Sequence, residues 1–280
     1  MSVASAIAEA RLRRVPAAGK IGVALVLFWV GLAALGPLLA PYSAGQAVDA
    51  GLFAGISAKH PFGTDYLGRD MLSRILHGAR YTVGVAFLAT LLACSAGVSL
   101  GLLAAVRRGW VDGALSRVAD ALISVPHLMF ALVVVAAFGT SMPVLVLMAA
   151  VSYVPGAFRI ARALALDIDA MDFVEVARAR GEGTAYILRA EILPNMILPV
   201  LTDFGLRFVF VVLLLSGLSF LGLGIQPPNA DWGALVRENI EGIYEAAPAV
   251  IVPALAIGVL TIGITLLIDG FADRRQEVER

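Results

Sequence analysis

The chain has 280 residues, of which 60% are hydrophobic and 15% charged, and its 21 Lys and Arg balance 21 Asp and Glu. A mean hydropathy of +0.89 excludes intrinsic disorder, because so much apolar surface cannot be left in water. The zero net charge argues against nucleic acid as a partner. What remains is an integral membrane protein with one compact membrane domain.

A helix rises 1.5 Å per residue, so about 20 apolar residues cross a hydrocarbon core of about 30 Å. Residues 21–40, IGVALVLFWVGLAALGPLLA, carry no charge and make the first span. Arg11, Arg13, Arg14 and Lys20 precede it, but the apolar run exceeds a signal-peptide h-region and no A-x-A site follows, so an uncleaved span is expected. The second span is 81–106, also uncharged, and the third is 118–138, with Asp120 at its start. Residues 142–158 form a short fourth span interrupted by Pro155-Gly156. The fifth and sixth are 208–225 and 249–268. All six are expected to be helices, since unpaired backbone cannot face lipid, and their continuous apolar runs lack the alternation of a membrane barrel.

Basic residues set the orientation. Fifteen Lys and Arg fall on the side that holds both termini and the loops 107–117 and 159–196, against five on the other: Lys59, Arg69, Arg74, Arg80 and Arg237. The expected organisation is a cytoplasmic N-terminal tail 1–20, a first transmembrane helix 21–40, an extracytoplasmic segment 41–80, a five-helix core 81–269 with a cytoplasmic loop 159–196, and a cytoplasmic tail 270–280. Met71, Leu72, Ile75 and Leu76 are spaced for one face of an amphipathic helix within the outer segment. Cys94 stands alone and cannot close an internal disulfide, and His60, His77 and His127 lack metal-ligand spacing, so no cofactor or metal is expected.

The long cytoplasmic loop carries the sharpest local pattern, DIDAMDFVEVARARGEGTAYILRAEILPNMILP over residues 167–199. Asp172 and Glu175, three apart, make a candidate capping box for a short helix over 173–180. Gly181 is placed to stop it. Thr184 can cap a second short helix, expected to end near Pro194. Phe173, Val174 and Val176 are apolar on a polar loop: either they pack beneath the membrane domain or they fill a groove on a partner. Composition alone favours the first.

Glu175-Val176-Ala177, then Gly181, then Leu193-Pro194 resembles the EAA loop of ABC-importer permeases. Val176 replaces the middle alanine, and Glu191 stands in the isoleucine slot with Ile192 one position late. The closing Ile192-Leu193-Pro194-Asn195 is similar to the dipeptide/oligopeptide/nickel branch of that family. Two further stretches resemble its C-type permease. One is His60-Pro61-Phe62-Gly63-Thr64-Asp65 with Leu67-Gly68-Arg69-Asp70, Ser73-Arg74 and Gly78-Ala79-Arg80. The other is Leu218-Ser219-Phe220-Leu221-Gly222-Leu223-Gly224 with Gln226-Pro227-Pro228 and Trp232-Gly233. The similarity runs from about Trp29 to about Asp269.

The resemblance implies a type I ABC-importer permease fold with six transmembrane helices and both termini cytoplasmic. It further implies a homologous second permease, two cytoplasmic ATPases, and a periplasmic or lipid-anchored binding protein, in a bacterial inner membrane. Asp172, Phe173, Val174, Glu175, Val176, Ala177, Gly181, Leu193 and Pro194 would form the ATPase-coupling loop. The solute would be a dipeptide or oligopeptide, or alternatively nickel or another small solute. Lys20 and Lys59 are the only lysines and neither follows a G-x-x-x-x-G, so no P-loop is present and no catalysis is expected from this chain.

Other residues weigh both ways. Asp203 and Arg207, at i,i+4, read as a structural ion pair near the cytoplasmic interface before they read as a path or gate. Asp65, Arg69, Asp70 and Arg74 fit a solvated face and a contact for the binding protein equally. Gly217, Gly222 and Gly224 with Ser216 and Ser219 suggest close helix packing first and a path lining second. His127, after Pro126, suggests a satisfied or water-facing polar group rather than a metal ligand. Asp120 and Asp269 sit at span ends. An ion-coupled secondary carrier, or a scaffold subunit without transport, are the competing classes; the carrier would call for broken helices and intramembrane ion ligands.

Overall fold

A computed structural model of the chain describes residues 17–48, 51–245 and 247–278, with side chains to residue 270. Most of the expected N-terminal tail, residues 1–16, lies outside the described residues. The described elements are helices, apart from two isolated bridge pairs, Ala47 with Arg69 and Thr64 with Asp70. In chain order they are α1 (Ala17–Leu39), α2 (Met71–Arg107), α3 (Gly109–Ile123), α4 (His127–Phe138), α5 (Met142–Asp169) and α6 (Asp172–Ala179). A single turn at Thr184–Tyr186 and a π-helical stretch Ile187–Ile192 then lead into α7 (Leu193–Phe220). α8 (Trp232–Glu238), a 3₁₀ turn Ile240–Ile243 and α9 (Pro248–Val278) complete the order.

Five of these stretches are long and apolar enough to cross a membrane, and the bent pair α3–α4 brings the number to six if it is one span. Every span differs from its apolar run. α2 absorbs the expected outer amphipathic helix as its own first turns. The third span is not one helix: α3 and α4 meet at 86° across Ser124–Pro126. Pro126 has no N–H to donate and pushes Val125 away from the α region. α5 passes through the expected interruption at Pro155 and continues to Asp169, well beyond the expected end of the span at 158. Its polar half is tolerated because Arg162 is held bidentately by Asp112 and Arg159 is held by Asp120, both on α3. α7 likewise starts at Leu193 rather than 208. The helix expected to end near Pro194 runs on through it. The ring of a proline clashes with the carbonyl four residues back, and the preceding π turn widens the backbone there.

The chain forms two compact units, one of residues up to 85 and from 215, the other of residues 86–214. In the first, α1 packs on α9 through small residues. A Cβ on Gly22 would meet the backbone of Leu267 and lie 2.8 Å from the Gly263 carbonyl oxygen, and one on Gly270 would lie 2.5 Å from the Cα of Gly19. Such close approach is how membrane helices gain dispersion contacts when water provides no drive between them. Trp232 is fully buried and packs edge-on against Trp29, with ring centroids 4.8 Å apart. Its indole N–H donates to the Ile75 carbonyl (3.1 Å) and its backbone N–H to the Thr82 hydroxyl (3.0 Å). Asp231 caps α8 by accepting from the Ala234 N–H (2.9 Å) and takes the Ser219 hydroxyl on its other oxygen (2.7 Å). The expected glycine stripe dissolves into separate uses. Gly217 faces open space, Gly222 ends α7 at φ +84°, and Gly224 closes against Ser219.

In the second unit α2 crosses α5 through Gly97 and Gly101. A Cβ on Gly101 would lie 2.8 Å from the Ala161 Cβ and 2.9 Å from the Phe158 carbonyl oxygen. α3 and α4 both pack on α5.

Two outcomes test these contacts. Gly22→Leu should destabilise the detergent-solubilised protein by about 1–3 kcal/mol through overpacking, whereas Gly31→Leu, with nothing within 4 Å of its Cβ position, should leave its melting temperature unchanged. Burial pushes the Asp231 carboxyl up to about 6, with the hydrogen bonds from Ser219 and Ala234 pulling the other way. An unfolded Asp titrates at about 3.9, so between roughly pH 4 and 6 the folded chain holds more protons than the unfolded one. Stability should therefore fall as pH rises through that window and level off above it. Melting curves across the window should lose that slope in Asp231→Asn.

Candidate functional site

The candidate coupling loop lies wholly in the second unit. Eight residues do not hold a helix in isolation, so α6 depends on what it packs against. Val174 and Ala177, three apart, are fully buried. Val174 joins a cluster that includes Ala105, Ala161, Ala165, Ile168, Ile187 and Met196. Removing a valine side chain from water contributes about 1.5 kcal/mol or more. The opposite face of the helix is exposed and apolar: Val176 is 56% accessible and Phe173 39%, with Met171 beside them at 48%. Both readings of the apolar residues thus hold at once, divided by helical periodicity. Val174 packs beneath the domain while Phe173 and Val176 face outward.

The start of the helix differs from the expectation. Met171, not a carboxylate, occupies the N-cap, and its carbonyl accepts from the N–H groups of Val174 (2.9 Å) and Glu175 (3.3 Å). Asp172 is the first helical residue, and no side chain caps the helix. The capping box of Asp172 and Glu175 is therefore not formed. Both carboxylates are exposed in the first turn, where they complement the helix dipole. Thr184 is likewise inside its turn, behind Gly183 as N-cap.

The end of the helix follows the expectation in detail. The Glu182 N–H reaches the Ala177 carbonyl (3.2 Å) and the Gly181 N–H reaches the Arg178 carbonyl (2.9 Å). This is the paired closure of a Schellman motif, with Gly181 at φ +84°. No atom lies within 4 Å of its Cβ position, so the requirement for glycine comes from the backbone and not from space.

Asp169, which sequence reasoning missed, is the anchor of the site. It ends α5, is 9% accessible, accepts from Arg108 Nη2 (2.7 Å), and also accepts from Arg178 on α6. One carboxylate thus bridges the turn after α2 and the short helix. It flanks a cleft of about 190 Å³ together with Arg108, Arg178, Thr184 and Ile187. The sequence offered one signal, an acid just ahead of a short helix that carries Arg178, but its second partner is 61 residues away. Leu193 and Pro194 are exposed at the start of α7, and Asn195 donates to the Glu191 carbonyl (2.6 Å).

Asp203 and Arg207 lie further along α7 and form a bidentate pair, Nε to Oδ2 at 2.6 Å and Nη2 to Oδ1 at 2.9 Å. Arg207 Nη1 also donates to the Tyr153 carbonyl (3.3 Å), over Gly156, where a Cβ would lie 3.2 Å from the guanidinium carbon. Arg207 is buried and Asp203 partly so, both within the α7 span, and the pair does not join the candidate coupling loop.

The outer charged residues lie in the first unit, and a solvated face is not what they make. Asp65 is fully buried, Asp70 and Arg74 nearly so, and Arg69 is half-buried. Asp65 Oδ2 accepts from Arg69 Nε and Arg74 Nη1, each at 2.6 Å, and its Oδ1 accepts from the backbone N–H groups of Leu67 and Arg69. Both arginines also reach Glu238, at 3.1 and 2.8 Å. Asp70 accepts from the Ser73 N–H and hydroxyl and pairs with His60 Nδ1 at 2.9 Å. Buried charges persist only when paired and hydrogen-bonded, and this network ties the segment before α2 to the end of α8. Glu238 was invisible locally, being more than 160 residues from its partners.

Residues 97–276 match the family model described as a binding-protein-dependent transport system inner membrane component. The chain is 34% identical over 249 residues to the glutathione transport system permease protein GsiD of Pectobacterium atrosepticum, covering 89% of this chain and 83% of the relative. It is 31% identical over 253 residues to the dipeptide transport system permease protein DppC of Alkalihalophilus pseudofirmus, covering 90% and 83%. A chain of the MetNI methionine ABC transporter, solved in inward-facing conformations, shares the fold with a TM-score of 0.58 at 17% identity, covering 71% of this chain and 94% of that one. A helical membrane architecture, an amphipathic helix at an EAA-like loop and matches over nine-tenths of the chain converge on one assignment. The chain belongs to the inner-membrane components of binding-protein-dependent transport systems, the multi-pass, non-catalytic permease subunits of ABC importers.

Proposed function

We propose that this chain forms one half of the translocation path of a peptide importer, beside a homologous second permease. Two cytoplasmic ATPases receive α6, and a binding protein delivers the solute on the opposite side. The observation that carries the coupling role is the division of α6 into a fully buried face, Val174 and Ala177, and an exposed apolar edge, Phe173 and Val176. A helix pinned by two buried residues and the Asp169 bridge transmits force, while its outer edge offers apolar area to a groove. The excess of Lys and Arg in the loops on the α6 side supports placing that side, and both termini, in the cytoplasm. The peptide class is supported by the dipeptide and glutathione systems named for its relatives; nickel or another small solute is the competing reading.

Val176→Asp should leave the melting temperature of the chain unchanged and lower ATPase recovery on co-purification at least fivefold; full recovery would remove α6 from the docking role. Gly181→Val places a β-branched residue at positive φ at a cost of about 1–2 kcal/mol and should abolish ATP-driven uptake. Gly181→Asn, which tolerates that conformation, should retain most of it. Equal loss in both variants would mean that the contact surface, not the backbone turn, requires glycine. Uptake assays in proteoliposomes with dialanine, glutathione and Ni²⁺ separate the solute classes.

A further inference from the structure

The corner between α2 and α3 is built on backbone that most residues avoid. Arg108 has φ +46° and ψ −168°, and Gly109 follows at φ +57°. Among the described residues only Phe53 shares a positive φ without being glycine. That conformation is cheap for Gly109, whereas at Arg108 it crowds the Cβ against its own backbone. A residue persists there when its surroundings hold it. The Arg108 N–H donates to the Ala104 carbonyl (2.9 Å). Its side chain has one hydrogen-bond partner among the described residues, Oδ2 of Asp169 at 2.7 Å.

The other oxygen of Asp169, Oδ1, accepts from Arg178 of α6. The carboxylate is sheltered, with its side chain 11% accessible, and the two guanidinium groups reach it from more exposed rims. A buried carboxylate that holds one guanidinium on each oxygen cannot release either without losing its compensation. The same elements also meet through apolar contact: Ala105 of α2, Ala165 and Ile168 of α5 and Val174 of α6 share one cluster. Apolar contact is non-directional, so it resists separation but gives little hold against sliding. Beside that cluster the cleft of about 190 Å³ stays open, and Arg108, Asp169 and Arg178 all line it. Across that gap the link is the carboxylate. The other ion pair from α6 among the described residues, Arg180 with Glu191, is looser at 3.9 Å and ends on the π-helical stretch.

We propose that Asp169 and Arg108 are positioning residues that relay movement of α6 to the α2–α3 corner. Arg178 brings a displacement of α6 to one carboxylate oxygen, and Arg108 takes it from the other into the strained corner. The inference rests on the reading of α6 as the ATPase-docking element and adds the route by which its movement leaves the loop. The strain at Arg108 makes the corner responsive. A relaxed turn would absorb a small displacement, whereas a backbone held in place by its side-chain contact must rearrange when that contact shifts.

The test uses the complete importer with a nitroxide spin label at Trp110→Cys in a Cys94→Ala background. Trp110 is exposed and lies two residues beyond Arg108, and the same importer without Trp110→Cys gives the spectral blank. Adding Mg-ATP and vanadate should change the spectrum of the labelled corner. Arg108→Gly removes the link but suits the backbone of the corner, so it should fold and still recover the ATPases on co-purification. Its ATP-induced spectral change should be at least fivefold smaller. Arg108→Lys, which can supply the single donor that Asp169 needs, should keep most of the change, and Asp169→Asn should lose it. A full change in Arg108→Gly, or none in the importer with Arg108 and Asp169 intact, would overturn the relay. Recovery of the ATPases reports on the docking reading separately. If they do not co-purify with the unaltered chain, that reading falls and the relay with it; if they do and Arg108→Gly responds fully, only the relay falls.

Discussion

A charge taken out of water must bring its counter-charge with it, and this constraint shapes both units of the chain. Hydropathy alone ends α5 near Pro155, yet the helix runs on to Asp169, with its Arg159 and Arg162 paired to Asp120 and Asp112 of α3. α7 carries Asp203 and Arg207 inside its span because the two satisfy each other at one helical turn, with the Tyr153 carbonyl taking a further N–H. In the first unit Asp65, Arg69, Arg74 and Glu238 settle four charges in one buried network. Each group is costly alone and tolerable in company, so the charged residues extend and join helices rather than interrupt them.

The apolar surfaces obey a different rule. Lipid tails are as apolar as leucine, so helices gain little by hiding leucine from them. What brings α1 onto α9, and α2 onto α5, is close backbone approach at Gly22, Gly270, Gly97 and Gly101. Large apolar side chains are left facing outward along α1, with Leu27 and Leu38 well exposed. The short helix α6 stands apart from this regime. It packs at the polar end of the second unit, where burying Val174 and Ala177 removes them from water and the ordinary hydrophobic effect applies. Its eight residues are held by that burial, by the turn at Gly181, and by the carboxylate of Asp169 gripping Arg178.

Much of this was legible in advance. Long uncharged runs can only be helices in a membrane, so the class and the approximate spans follow from length and hydropathy. The stop at Gly181 was legible because a left-handed residue after a short helix nearly demands glycine. The capping box was not formed, since Asp172 and Glu175 had a competitor that no local pattern reveals: the chain enters from α5 with the Met171 carbonyl already closing the first turn. The third span also misled, because apolar composition is blind to a proline placed where the chain turns by 86°.

By itself the sequence determined that the chain is a helical membrane protein, which of its loops resembles the EAA loop of ABC-importer permeases, and where a short helix must end, because these depend on composition, periodicity and single-residue backbone preferences. Only the tertiary structure decided which charges are buried partners, that the acids and arginines before α2 form an interior network rather than a wetted face, and that Asp169 pairs with Arg178 of α6. Those outcomes depend on side chains tens to more than a hundred residues apart meeting at about 3 Å, and electrostatics in a low-dielectric interior acts through distance in space, not along the chain.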